Sequence, residues 1–552
     1  MKRKLVYLLV LSLILAMLPM GVLADEDEDN DANGTIEVSG IVSYEIVIEG
    51  FDWGPGVTQL RLTLESPVEA VSLEDFEVSI TRKPGFIPPA GDTDPIVQEV
   101  NLAGASLSAD GYTVTLDFVV HPSRGVNPFT FTLSPMGNDW ADPFTPTITW
   151  QGIEFTPERT ARITPLADQF YTDGTFTHDG VTLQYASFSP SQAHTSERPL
   201  IIWLHGGGEG SRGNTVSPDA MIFGNRVTQL VAPEIQGIMG GAHVFLPQSP
   251  TMWLMGTDGR GDPPGEGYRS NYEVALIALI DQFIASTPNV DTSRIYVGGC
   301  SNGGYMAMRM LFERPDLYAA AWPICLYYRG EWVNDEKIES IAHIPIWFIH
   351  DINDPTTPHE HSQNLHDLLL AAGADNVHLY TTDGLFSDEF VNDDGEPWRF
   401  NDHWSWIPAL NNTVSDTING RNVTLFEWMA AQQSGDLPQE QAAEPVAETY
   451  EPENGNDEPA DEQVTVEELA FDELTMVPLR FVAEILGAEV QWEDETRTVI
   501  VITDGNTTTL QIDTPLPGNL GMPEIRQGIT FVPAIHLANM LDVNVGAIEA
   551  VL

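Results

Sequence analysis

The chain has 552 residues, enough for about three domains of ordinary size, and sets 24 Lys and Arg against 81 Asp and Glu, a formal net charge of −57. So acidic a chain repels a phosphate backbone, which excludes nucleic acid as a partner. Beyond Lys2 and Lys4 the only lysines are Lys83 and Lys337, and an exterior this acidic suits a saline or alkaline setting where salt screens its self-repulsion.

Lys2, Arg3 and Lys4, an apolar run over 5–18, and Val22-Leu23-Ala24 ahead of a burst of acids form the pattern of a secretory signal peptide, residues 1–24. Pro19 and the short apolar run argue against a spanning anchor. With no cysteine before Cys300, lipid attachment at the signal is excluded. The expected location is secreted or extracellular, in a bacterium. Residues 35–165 then alternate with period two: Leu60, Leu62 and Leu64; Phe76, Val78 and Ile80; Tyr112, Val114, Leu116 and Phe118. Such strands, separated by Gly, Pro and Asp turns, predict a β-sandwich. Its one histidine, His121, reads as a surface residue.

Residues 168–432 alternate strand-like and helix-like runs, the pattern of an α/β domain with a mostly parallel sheet. Leu200-Ile201-Ile202-Trp203-Leu204 reads as a strand and leads into His205-Gly206-Gly207-Gly208, whose glycines let backbone N–H groups approach a developing oxyanion. Leu276, Leu279, Ile280 and Phe283 fall on one helix face, as a crossover helix requires. Arg294-Ile295-Tyr296-Val297 then delivers Gly299, Ser301 and Gly303, a G-x-S-x-G turn that presents a serine nucleophile at a strand-to-helix corner. An orienting acid and a histidine should follow in the order Ser, Asp, His. A strand over 344–349 ends in His350-Asp351-Ile352-Asn353-Asp354-Pro355, which offers Asp354, with Asp351 in the same turn as the alternative. After a strand over 377–381 and a long loop comes His403. Activity should fall as His403 is protonated. The acidic loop 388–394 reads as a solvated lid rather than a calcium site, and no metal or cofactor is required for any step. Cys300 and Cys325, the only cysteines, could form a disulfide or remain two buried thiols, a choice set by their Cα separation.

Residues 434–464 hold Glu, Asp, Pro, Ala and Gln with no basic residue and read as a disordered linker. In 465–552 a repeat at an offset of 55 pairs the segment 476–486 with 531–541, each with Pro at a helix start. Strands are expected at 490–492 and 498–502, with a hairpin turn at Asp504-Gly505, giving a small α+β repeat domain.

The run 168–432, with H-G-G-G-E, L-P-Q-S-P (246–250), G-G-C-S-N-G-G-Y, H-D-I-N-D-P and D-H-W-S-W, resembles α/β-hydrolases of the esterase and prolyl-oligopeptidase-like group. Gly50-Phe51-Asp52-Trp53-Gly54-Pro55-Gly56-Val57 is similar to the immunoglobulin-like N-terminal domain of EstA-like bacterial esterases, where that domain supports assembly and shapes access to the site. The resemblance implies a triad of Ser301, Asp354 and His403, an oxyanion hole from the N–H groups of Gly207 and Asn302, and a homo-oligomer formed through the N-terminal domain. Residues 465–552 resemble the domain called copper amine oxidase N-terminal, which implies association with a surface or cell wall. One histidine, His536, and no cysteine are too few soft ligands for copper.

The expectation is a multidomain, secreted serine hydrolase, foremost a carboxylesterase acting on a small-molecule or polymer-borne acyl ester. A prolyl-oligopeptidase-type peptidase, an acetyl or feruloyl esterase directed at polysaccharide, and an inactive surface scaffold are the alternatives. Trp253, Tyr305, Trp404 and Trp406 are aromatic candidates for the pocket wall, with core packing the competing role for each.

Overall fold

The computed structural model describes residues 39–434, apart from 89–90, 92, 134–135, 191–195 and 256–268, together with parts of 476–541. The expected signal peptide and all but the first residue of the acidic linker lie outside the described residues.

Alternating apolar residues build a β-rich N-terminal region of three sheets. In the first, Ile41–Phe51 lies between Glu158–Ile163 and Gly54–Leu64, with Thr113–Phe118 and Leu102–Leu107 beyond. In the second, Phe76–Arg82 lies between Phe144–Trp150 and Ile96–Glu99. The third is short: Phe129–Leu133 lies between Phe86–Ile87 and Met136–Trp140. Leu60, Leu62, Leu64, Phe76, Val78, Ile80, Val114, Leu116 and Phe118 are all buried, as period-two patterning requires. Tyr112 departs from the pattern; it stands one residue before its strand and is 43% exposed.

The α/β region is built on eight strands, numbered within it: β1 (Tyr171–His178), β2 (Val181–Phe188), β3 (Arg198–Leu204), β4 (His243–Gln248), β5 (Val290–Cys300), β6 (Ala320–Ile324), β7 (Ile346–Asp351) and β8 (Val377–Thr382). They lie in the order β1-β2-β4-β3-β5-β6-β7-β8. The β1–β2 and β2–β4 pairs are antiparallel and every later pair is parallel. A sheet covered on both faces needs strands apolar throughout, and β3, β4, β6 and β7 are buried over nearly their whole length.

Helix α1 (Glu273–Ser286) crosses over ahead of β5 and buries Leu276, Leu279, Ile280 and Phe283, the face the spacing predicts. Burying each such side chain contributes about 1.5–3 kcal/mol. Helix α2 (Asn302–Glu313) follows β5, and α3 (Glu360–Ala371) precedes β8. Between α1 and α2 sits a buried ion pair, with Arg309 Nε 2.8 Å from Glu273 Oε2 and Arg309 Nη2 2.7 Å from Glu313 Oε1. Burial pushes Glu273 upward against the pull of Arg309, and the Glu273 carboxylate holds the guanidinium charged.

At segment 50–57 the N-terminal region docks onto the α/β region. Asp52 accepts from the guanidinium of Arg226 and, at 3.0 Å, from Asn411 Nδ2. Trp53 stacks on Phe51 and meets the ring of Phe390 edge-on at 5.1 Å between centroids. A Cβ at Gly50 would come within 2.8 Å of Thr228 Oγ1, so only glycine allows the approach. His121 is not a surface residue: it is buried, its Nε2 lies 3.0 Å from the carbonyl of Val391, and its ring meets Phe390 and Trp398 edge-on. Its cover is the hairpin Phe386–Val391 with Pro397–Arg399, so the acidic segment 388–394 is part of a tethered hairpin rather than a free loop.

In the C-terminal part, Met476–Pro478 pairs antiparallel with Ile529–Pro533, placing Val477 opposite Val532. A second sheet joins Glu489–Glu493, Thr498–Thr503 and Asn506–Gln511. Pro478 and Pro533 each end a strand, and after Pro533 the helix Ala534–Leu541 begins. The expected turn residues Asp504 and Gly505 lie outside the described residues.

Candidate active site

Ser301 stands between β5 and α2 with φ 54° and ψ −115°, a conformation that costs an L-residue about 1–3 kcal/mol. Its N–H donates to the Ile324 carbonyl at 2.8 Å, and its own carbonyl accepts from Tyr305 N–H at 3.1 Å. The flanking glycines answer to a close backbone approach. A Cβ on Gly303 would lie 1.9 Å from the Leu204 carbonyl oxygen, and one on Gly299 2.3 Å from the same atom. Asn302 opens α2, so its N–H is free of the helix ladder, and its Oδ1 accepts from Leu254 N–H at 3.3 Å.

The His205–Gly208 turn leaves the end of β3, beside β5 in the sheet. His205 Nδ1–H donates to the Gly206 carbonyl at 2.6 Å, while Nε2 accepts from Ser249 N–H at 3.1 Å. This fixes the neutral tautomer and gives the 246–250 motif a physical reason. Gly210 lies so close to Thr251 that a Cβ would sit 2.0 Å from its carbonyl oxygen. Gly207 faces Met136 and Met252.

Asp354 and His403 are brought together: Asp354 Oδ2 lies 2.7 Å from His403 Nδ1. The same oxygen accepts from Thr357 Oγ1 at 2.9 Å and lies 3.1 Å from His350 Nε2, while Oδ1 accepts from the N–H groups of Thr356 and Thr357. Burial alone would raise this carboxyl, but the charge of His403 and hydrogen bonds from His350 and His403 outweigh it and hold Asp354 far below the usual carboxylate range. Asp351 turns elsewhere, accepting from Thr382 Oγ1 at 2.6 Å and from the N–H groups of Gly384 and Asn353. His350 is a residue the sequence reading passed over. It is fully buried, with Ser362 Oγ 2.8 Å from Nδ1 and the Thr357 carbonyl 2.9 Å from Nε2.

Both cysteines are buried and free, so the open choice resolves to two thiols. Cys325 lies in one cluster with Asp354 and His403, their donor atoms within 4.8 Å of one another; burial first, then Cys300 and Asp354, push its thiol well up, so it stays protonated. Among the aromatic candidates Trp253 and Tyr305 are fully buried, packed against His205 and Tyr328. Trp406 meets His403 edge-on at 6.0 Å, and Trp404 stacks on Trp406.

Two buried groups at the glycine turn pull stability in opposite directions as pH changes, and over pH 4.5–6.5 the two pulls offset each other. Burial lowers His205 to about 4 and raises Glu209 to about 7. As pH falls from 6.5 toward 4, the unfolded chain binds a proton that His205 refuses, so stability drops. As pH rises from 4.5 toward 7, the unfolded chain releases a proton that Glu209 keeps, and stability drops again. Each full ramp is on the order of 3 kcal/mol. In denaturant titrations from pH 4 to 8, Glu209→Gln is expected to uncover the His205 ramp, its stability rising with pH between 4 and 6.5 where the parent stays nearly level.

Residues 271–382 match the family model described as the prolyl oligopeptidase family, a span that holds Ser301 and Asp354. The hydrolase region is that of a serine hydrolase. Residues 454–550 of this serine hydrolase match the copper amine oxidase N-terminal domain; with His536 as its one histidine and no cysteine, that segment does not fit a copper site. Among curated proteins none matches the chain. Among solved structures, a thermostable esterase superposes with TM-score 0.54 at 23% identity, over 71% of this chain and 99% of that one. A ferulic acid esterase gives 0.28 at 15% identity over 39% and 90%. The acylaminoacyl peptidase of Pyrococcus horikoshii gives 0.30 at 13% identity over 59% and 50%. The first of these establishes the fold: an α/β-hydrolase core behind a β-rich N-terminal region.

Proposed function

We propose that the chain is a secreted carboxylesterase acting through Ser301, His403 and Asp354. His403 removes the Ser301 proton through Nε2 as the hydroxyl attacks an acyl carbon, Asp354 holding Nδ1–H and thereby the tautomer. The oxyanion is met by the N–H groups of Gly207 and Asn302. The alcohol leaves with the proton from His403, and water, activated by the same imidazole, frees the acid. The observation that carries this reading is the 2.7 Å contact between Asp354 and His403, at the same edge of the sheet as the strained serine turn. Likeness to the thermostable esterase supports an ester as substrate. The prolyl oligopeptidase match over 271–382 favours a second reading, a peptidase. Its weakness is the N-terminal region, whose sheets of five, four and three strands among the described residues offer no propeller to sieve large proteins.

The signal-like start supports export, the N-terminal region is a candidate oligomer contact, and the C-terminal domain match supports a surface-holding role. Hydrolysis of p-nitrophenyl acetate, butyrate and octanoate beside a proline peptide anilide tests the reading. Ester turnover is expected, and Ser301→Ala should lower it by about 10⁴-fold or more. Anilide turnover without ester turnover would establish the peptidase instead.

A further inference from the structure

Glu209 lies buried directly behind the glycine turn, where an unused carboxyl group would only cost desolvation energy. Its N–H donates to the Gly206 carbonyl at 3.4 Å, and its Oε1 accepts from Asn138 Nδ2 at 3.2 Å. The space is shaped for it. A Cβ on Gly206 would lie 2.8 Å from Glu209 Oε2, and one on Gly224 2.8 Å from Glu209 Cγ. Its backbone carbonyl is held by Gln248 Nε2 at 2.8 Å.

Asn138 belongs to the N-terminal β region, on the strand Met136–Trp140. That strand is fastened to the hydrolase along its length. The Gly137 carbonyl accepts from the guanidinium of Arg212, Trp140 Nε1–H donates to Asp219 Oδ2 at 2.8 Å, and Met136 Cε lies 3.0 Å from where a Cβ of Gly207 would stand.

In a trans peptide the carbonyl of one residue and the N–H of the next share a plane and point oppositely. The Gly206 carbonyl accepts from His205 Nδ1–H and from Glu209 N–H, and the Glu209 carboxyl packs against Gly206 from the other side, so residue 206 is held and the direction of the Gly207 N–H is set. We propose that Glu209 is a positioning residue for the oxyanion turn and that the N-terminal β region, through Asn138, holds it in place. The region is then a working part of the active site rather than an appended domain. The inference rests on the reading of Gly207 as an oxyanion donor.

The test measures kcat and KM for p-nitrophenyl butyrate in the full chain, comparing Glu209→Gln, Asn138→Leu and the double variant, with Ser301→Ala alongside. A misdirected donor weakens transition-state binding alone, so kcat should fall about ten- to a hundredfold with KM within twofold. Both substitutions act through one carboxyl, so the double variant should be no slower than the slower single one. Asn138→Leu leaves the buried carboxyl in place and serves if Glu209→Gln does not fold. Unchanged kcat in Asn138→Leu, a rise in KM that accounts for the loss, or multiplying effects would overturn the inference while Ser301→Ala remained inert. Persistent turnover in Ser301→Ala would instead remove the reading beneath it.

Discussion

Asp354→Asn is expected to lower kcat for esters by about 10⁴-fold while the fold persists, because an amide cannot hold His403 Nδ1–H and leaves the imidazole in the wrong tautomer. Asp351→Asn, three residues away in the same turn, should stay close to the parent rate. Asp351 bonds Thr382, Gly384 and Asn353 and does not meet the imidazole. Steady-state kinetics of the pair, with circular dichroism to check folding, decides the assignment. A larger loss from Asp351→Asn would reverse it. Because Asp354 is stabilised as a carboxylate by four hydrogen bonds from His350, Thr356 and Thr357 besides the one from His403, the substitution removes an orienting group from a rigid cradle rather than a mobile one.

The largest effect on stability is expected at Arg309. Replacing it with Leu leaves Glu273 buried without its partner, a change that costs about 3–5 kcal/mol, or roughly 10 °C in a domain of this size. The double variant Arg309→Met with Glu273→Leu should recover most of that loss, since the penalty belongs to the abandoned charge and not to a missing attraction. Calorimetry on both proteins checks this; equal losses in the single and double variants would show that packing, not charge, dominates the site.

The serine turn was legible because three local signals coincide there: an apolar run, small residues where backbones touch, and a helix beginning at once. The clash distances at Gly299 and Gly303 are the physical content of that motif. Asp354 was legible only to within its turn, since both aspartates follow the same strand and the hydrogen bonds that separate them come from residues about 30 positions onward or more. His121 was misread because a lone polar residue in a β region carries no mark of what will cover it; its cover, the hairpin at 386–399, lies some 270 residues away. The same holds for Glu209 and His350, whose roles depend on partners in other segments. Segment 50–57 was noticed as a resemblance, and its reason is the docking of Asp52 and Trp53. For the C-terminal part the repeat at an offset of 55 was visible, whereas the pairing of its two leading strands with each other was not.

That pairing bears on how the chain comes off the ribosome. Met476–Pro478 finds its partner strand only at Ile529–Pro533. At about 5–20 residues per second, the delay between synthesis of Val477 and of Val532 is roughly 3–11 s. The module therefore cannot close progressively from its beginning, and its first strand waits as an unpaired edge until Ile529–Pro533 has been made, the interval in which a holdase has something to hold.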